Sequence, residues 1–213
     1  MNKIEILVRE VKSLIDQEII DLNGITSRCF GKEVPLEETR KQFGEADFLS
    51  VVMLEEQVRG YGLNSKFSLN ESVINYFGSG FIDPLLHDKE LYARLNAFRI
   101  NLISANAIMT RTQNPKVYSG FTRLCKDNNF LFSPDATSNI DQKCLSLAKE
   151  FCTHTGGAFS STCNDEQICK NIYGRELMRN TPIPNERSNK VMSKLNISQG
   201  DAIILVGRKY SHL

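Results

Sequence analysis

The segment Ala107-Ile108-Met109-Thr110-Arg111-Thr112-Gln113-Asn114-Pro115 limits the fold more than any other part of the chain. An apolar run passes into polar residues, then into Asn-Pro, then into a helical pattern that begins at Lys116. Proline has no amide proton and cannot continue a strand ladder, yet it suits the first turn of a helix. The segment therefore reads as a strand-to-helix junction. In an open α/β sheet, ligands bind just beyond such strand ends.

The flanking sequence supplies the rest of a sheet. Ile4 to Val8 alternates apolar and polar residues, as a half-buried strand does. Leu14, Ile15, Ile19, Leu22 and Ile25 recur at helical spacing as far as Cys29. Pro35, followed by Glu37 and Glu38, predicts the acidic first turn of a second helix ending near Gly44. Phe48 to Leu54, Val58 to Phe67 and Ser72 to Ile82 predict a three-strand meander. Within it, Glu55-Glu56-Gln57 makes a tight connection, and Gly60-Tyr61-Gly62 marks a bulge.

Asp83-Pro84 ends the meander, and Glu90 to Ile103 carries apolar residues at helical spacing. The strand Ala107 to Thr112 and the helix Lys116 to Asp127 follow, then a further strand. Asp141 to Cys152 predicts a helix, Asn164 to Tyr173 another, and Asn180 to Glu186 a loop. Gly200-Asp201 turns into the buried strand Ala202 to Val206. The pattern predicts an α/β (α+β) fold with a mixed, mostly antiparallel central sheet flanked by helices. One domain is expected over residues 1–213, with a helical and loop insertion at about 139–185 before the last strand.

Charge narrows the function classes. The 26 basic and 25 acidic residues give a net charge of +1, which argues against a general nucleic-acid binder. No apolar run is long enough to span a bilayer, and the acidic N-terminal segment does not read as a secretion signal. A cytoplasmic setting with free thiols is expected for the six cysteines. Cys152, His154, Cys163 and Cys169 form the tightest polar cluster, but no Cys-x-x-Cys pair occurs. No metal is expected at these loose spacings.

The order strand, two helices, three-strand meander, helix, strand, helix, strand and late strand resembles the GNAT superfamily of N-acyltransferases. The resemblance covers most of Ile4 to Pro134, plus Ala202 to Gly207. Thr112-Gln113-Asn114-Pro115 resembles a variant found at the end of one of that family's strands. Ile82-Asp83-Pro84-Leu85-Leu86-His87-Asp88-Lys89-Glu90-Leu91-Tyr92 lies where the family has its pyrophosphate loop. The resemblance implies acetyl-CoA or another acyl-CoA as co-substrate and an amine as acceptor. Neither nucleic acid nor a membrane is expected as a partner. Phe81, Ile82, His87, Asp88, Lys89, Glu90, Leu91, Tyr92 and Asn114 are the implied cofactor-binding residues.

The loop departs from the family pattern: His87 stands where glutamine or arginine is usual, Glu90 replaces a glycine, and Tyr92 fills a small position. The alternative for Asp88 to Tyr92 is an ordinary helix start with Asp88 as its cap. Asn114 either bonds the pantetheine arm or caps the next helix.

Acyl transfer needs a polarised thioester, a base for the amine and an acid for the leaving thiolate. In the family a tyrosine often supplies that acid; here Phe121 holds its place, and Tyr118, one turn earlier on the same face, is the substitute. Its alternative is a half-buried surface tyrosine. Glu55, Glu56, Glu71 and Asp83 are candidate bases at strand ends. Cys125, with His87 or His154 as its base, is a candidate nucleophile or else a buried thiol. A degenerate family member that serves as a binding module is the second reading of the whole chain.

Overall fold

The computed structural model describes residues 4–69, 71–86, 89–136, 140–154, 161–177 and 185–210. Strands β1 (Ile4–Glu10), β2 (Phe48–Leu54), β3 (Gln57–Leu69) and β4 (Ser72–Ile82) precede β5 (Ala107–Thr112), β6 (Phe130–Ser133), β7 (Ile168–Cys169) and β8 (Ala202–Lys209). Among the described residues six α-helices join them: α1 (Asp16–Phe30), α2 (Leu36–Gly44), α3 (Lys89–Arg99), α4 (Pro115–Asp127), α5 (Gln142–His154) and α6 (Glu186–Met192). The strand order is β1-β2-β3-β4-β5-β8-β6, with β7 beside β8. The result is the expected mixed, mostly antiparallel sheet flanked by helices.

The chain divides into two compact units, Met1–Phe67 with Asn75–Ser104 and Ser68–Ile74 with Ala105–Leu213. In the first, β1 and β2 pair antiparallel with Ile4 opposite Leu54, and β2 and β3 pair antiparallel with Phe48 opposite Asn64. Strand residues alternate faces, so β2 and β3 each serve two layers. Leu49, Val51, Tyr61 and Leu63 pack with Leu22 and Ile25 of α1 and Phe43 of α2. On the other face, Val52 packs with Leu91 and Leu95 of α3, joined by Ile82 and Leu86.

Local chemistry sets the ends of these elements. Glu18 accepts the Ile15 amide at 3.0 Å, and Gly31, at φ 63°, closes α1 in the left-handed region open to glycine. Glu55 and Glu56 also adopt positive φ, 50° and 62°, making the tight hairpin turn between β2 and β3. The bulge lies at Arg59, one residue before the expected glycines: Val52 faces Gly60, while Met53 faces Val58.

In the second unit β8 is the central strand. It pairs antiparallel with β5, β6 and β7. Ala202 to Val206 are all buried, which accounts for their unbroken apolar run. The expected helix at Asn164 to Tyr173 is a correction: those residues form a turn and the short strand β7. Asn164 Oδ1 accepts the amides of Glu166 and Ile168 at 3.0 and 2.8 Å, so the asparagine builds a turn in place of a helical ladder. The expected loop at Asn180 to Glu186 lies partly outside the described residues; Asn185 caps α6 by accepting the Ser188 amide at 2.8 Å.

Candidate functional site

Two strand-to-helix junctions carry the expected site residues, one in each unit. In the first unit β4 delivers Phe81 and Ile82. The Phe81 ring lies edge-on to Phe30 and Tyr61, at 5.3 and 5.4 Å between centroids. Gly60 is needed beneath this strand end, since a Cβ there would stand 2.6 Å from the Phe81 carbonyl oxygen.

Asp83 is buried and closes the strand. Its carboxylate takes the Arg28 guanidinium at 2.7 Å and the Leu85 amide at 3.1 Å, with Arg59 at 4.0 Å. Burial alone would raise this carboxyl. The Arg28 bond, the Leu85 amide and the two guanidinium charges outweigh burial and hold it below the ordinary aspartate range. A carboxylate so committed is a poor proton acceptor, and its place in the structure is that of an anchor for the strand end. Cys29 donates to the Ile82 carbonyl at 3.2 Å, and burial, then the Asp83 charge, pushes its thiol up to about 12.

Beyond a short turn at Pro84–Leu86, α3 begins at Lys89. Glu90 is exposed, Leu91 is buried in the core beneath the sheet, and Tyr92 is half-buried. His87, Asp88 and the Lys89 side chain lie outside the described residues. The far end of α3 holds a residue that the sequence reading passed over. Arg99 is 1% exposed, and its guanidinium donates to Asn64 Oδ1 at 2.8 Å, Asn96 Oδ1 at 3.0 Å and the Leu63 carbonyl at 2.5 Å. It also lies over the Phe77 ring at 4.6 Å. Burial lowers its pKa to about 10. Gly62 and Gly80 make room for it: a Cβ at either position would come within 2.7 and 2.8 Å of its side chain. The only signal in the sequence was glycine at alternate positions of two strands.

In the second unit β5 ends in Gln113, which is buried. Its amide donates to the Asp201 carbonyl at 2.9 Å and accepts the Leu177 amide at 3.0 Å. Asn114 accepts the Lys116 amide at 2.9 Å, and Pro115 follows as the first helical residue, so the capping alternative describes its side-chain oxygen. Tyr118 is 1% exposed and donates its hydroxyl to the Pro134 carbonyl at 3.1 Å. Burial, then the Asp135 charge, raises its pKa. The phenol therefore stays protonated, but its proton is directed at the backbone. Phe121 packs beside it against Phe132. Glu55 and Glu56 occupy the hairpin turn, apart from any such junction. Cys125 is fully buried, and burial drives its thiol far up, as an unreactive core residue requires.

No family model matches the chain, and no curated protein matches it in sequence. Solved structures do match it in shape. The ribosomal-protein-S18-alanine N-acetyltransferase from Escherichia coli superposes with a TM-score of 0.54 at 10% identity, covering 97% of this chain and 96% of that one. The chain has the GNAT N-acyltransferase fold. A GNAT-family acetyltransferase from Bacillus cereus gives a TM-score of 0.46 at 10% identity, covering 97% and 99%. An N-acetylglutamate synthase from Neisseria gonorrhoeae, complexed with coenzyme A and N-acetyl-glutamate, gives 0.45 at 12% identity; this chain covers only 36% of it. Among the described residues no helix is long and apolar enough to cross a membrane.

Proposed function

We propose that this protein is a CoA-dependent N-acyltransferase that moves an acetyl or other acyl group from acyl-CoA to an amine. The observation that carries this reading is the match over nearly the whole of both chains to an enzyme named for acetylating an alanine amine. The six free cysteines fit the reducing, cytoplasmic setting where acyl-CoA is made.

The diphosphate of the co-substrate is assigned to the segment from Phe81 to Tyr92. Amides in the first turn of a helix have no acceptors within it, and the helix dipole favours an anion there. Glu90 is the unfavourable element, and its exposure lets its carboxylate turn into water. Transfer then needs the neutral amine to attack the thioester carbon. The C–N bond forms, the C–S bond breaks, and the thiolate leaves to take a proton. A non-catalytic binding module is the second reading; the bond that takes up the Tyr118 hydroxyl favours it.

Calorimetry with acetyl-CoA, followed by thiol release over a panel of amines, tests both. Binding with turnover is the expected result. Binding without turnover on any amine ends the transferase reading, and no heat or thermal shift at millimolar acetyl-CoA favours the module that has lost its cofactor.

A further inference from the structure

Cys152, Cys163 and Cys169 of the loose Cys/His cluster meet in the second unit, while the His154 side chain lies outside the described residues. Cys152 lies near the end of α5, the backbone of Cys163 pairs antiparallel with that of Cys169, and Cys169 ends β7. The sulfurs of Cys152, Cys163 and Cys169 all lie within 4.8 Å of one another, and Cys152 and Cys169 are 3.6 Å apart. Cys152 and Cys169 are buried, while Cys163 is half-exposed. Spacing along the chain hid this meeting. The tight turn built by Asn164 returns Cys169 to Cys163, and α5 brings Cys152 from eleven residues upstream of Cys163.

The geometry points to a zinc(II) site formed by the thiolates of Cys152, Cys163 and Cys169. A zinc–sulfur bond of about 2.3 Å sets sulfur–sulfur edges of about 3.8 Å in a tetrahedron, close to the separation found here. A disulfide requires about 2.05 Å. Binding replaces three S–H protons by three Zn–S bonds and releases the protons to solvent. A solvent water on the half-exposed side of Cys163 would take the fourth position of the tetrahedron. Three thiolates and one zinc carry a net negative charge, and Arg111 is the positive group whose field reaches Cys152. The Ser161 hydroxyl, 3.6 Å from the Cys169 sulfur, supplies a donor of the kind that commonly supports bound thiolates. The site would tie α5 to the turn at 163–169, and through β7 to β8. It is independent of the acyl-transfer reading.

The test is metal analysis of the full chain purified under reducing conditions, with cobalt(II) as spectroscopic probe. One zinc per chain is expected. Cobalt should give thiolate-to-metal charge-transfer bands and the intense visible bands of tetrahedral coordination, which zinc then abolishes. Cys163→Ser should weaken binding by at least roughly a hundredfold, while Cys29→Ser leaves it unchanged. Chelation should lower the melting temperature of the wild type and not of Cys163→Ser. A reduced chain that takes up neither metal overturns the site. So does a peptide map showing two of these cysteines joined, with two hydrogens missing from the mass. The cobalt spectrum of the wild type decides the matter even where a variant fails to fold.

Discussion

Arg99 in the first unit and Asp201 in the second are both buried charges, and their surroundings solve the problem in opposite ways. The Arg99 fork is dissolved in neutral groups: two asparagine oxygens, a main-chain carbonyl and an aromatic face. Asp201 is held by the Lys170 ammonium at 2.7 Å and by the amides of Asn171 and Asn196, both at 3.0 Å. The cation depends on a shaped cavity in regular strands, where two glycines leave the space. The anion depends on irregular segments that aim their amides inward. A change of shape should therefore damage the first, and a change of pH the second.

Replacing Arg99 by methionine should break the contrast most severely. It strands Asn64, Asn96 and the Leu63 carbonyl without their donor, at a cost of about 3–5 kcal/mol in urea unfolding. A loss under about 1 kcal/mol would show that the polar cage is dispensable. Gly62→Ala comes next. Its Cβ would press on the buried stem of Arg99, for about 1–3 kcal/mol; Gly44→Ala, where a Cβ meets nothing, is the control.

Asp201→Asn should cost about 1–3 kcal/mol at neutral pH. Burial raises this carboxyl, but the Lys170 bond and the Asn171 and Asn196 amides outweigh burial and hold it below the usual range. A carboxyl lowered in the fold stabilises above its unfolded value, about 3.9, and loses that contribution as pH falls through the folded value. Wild type and variant should therefore converge in acid; parallel stability curves down to the lowest pH would remove charge from the explanation.

Two smaller changes sharpen the functional side. Tyr118→Phe removes the hydrogen bond to Pro134 and should lower stability by about 0.5–1.5 kcal/mol with little change in turnover. A fall in kcat of roughly a hundredfold or more would instead make Tyr118 the proton donor. Glu90→Gln should tighten acetyl-CoA binding about two- to fivefold, the size of a helix-terminus charge effect. Unchanged or weaker binding would move the diphosphate away from this turn.

Most elements were legible because period and punctuation coincide in them. Phe48–Leu54, Ser72–Ile82 and Ala107–Thr112 have the bounds that their apolar runs and flanking turn residues imply. Asn114-Pro115 announced both cap and helix. Legibility failed where side chains bond their own backbone or meet across long separations. Asn164 turned an expected helix into a hairpin, and Gln113 bonds Asp201, 88 residues on. The cysteine cluster is visible along the chain but looks too loose for a metal, for the same reason: one-dimensional spacing carries no information about a turn that folds it up. Arg99 falls inside a helix expected to run on to Ile103 and nothing singles it out there, and only the opposing glycines carry a sign that it points inward.

The single extra residue in β3 reaches further than its size suggests. At Arg59 the strand gains a residue that has no opposite number in β2. The peptide so displaced offers its carbonyl to the Asp83 amide at 2.8 Å. A chain lacking Arg59 would pair straight through, and the last residues of the meander would lose their mooring just before the turn into α3. Such a deletion would shift the entrance of that helix while leaving its apolar stripe intact, so insertions and deletions should be tolerated least at a position that carries neither core side chain nor proposed ligand.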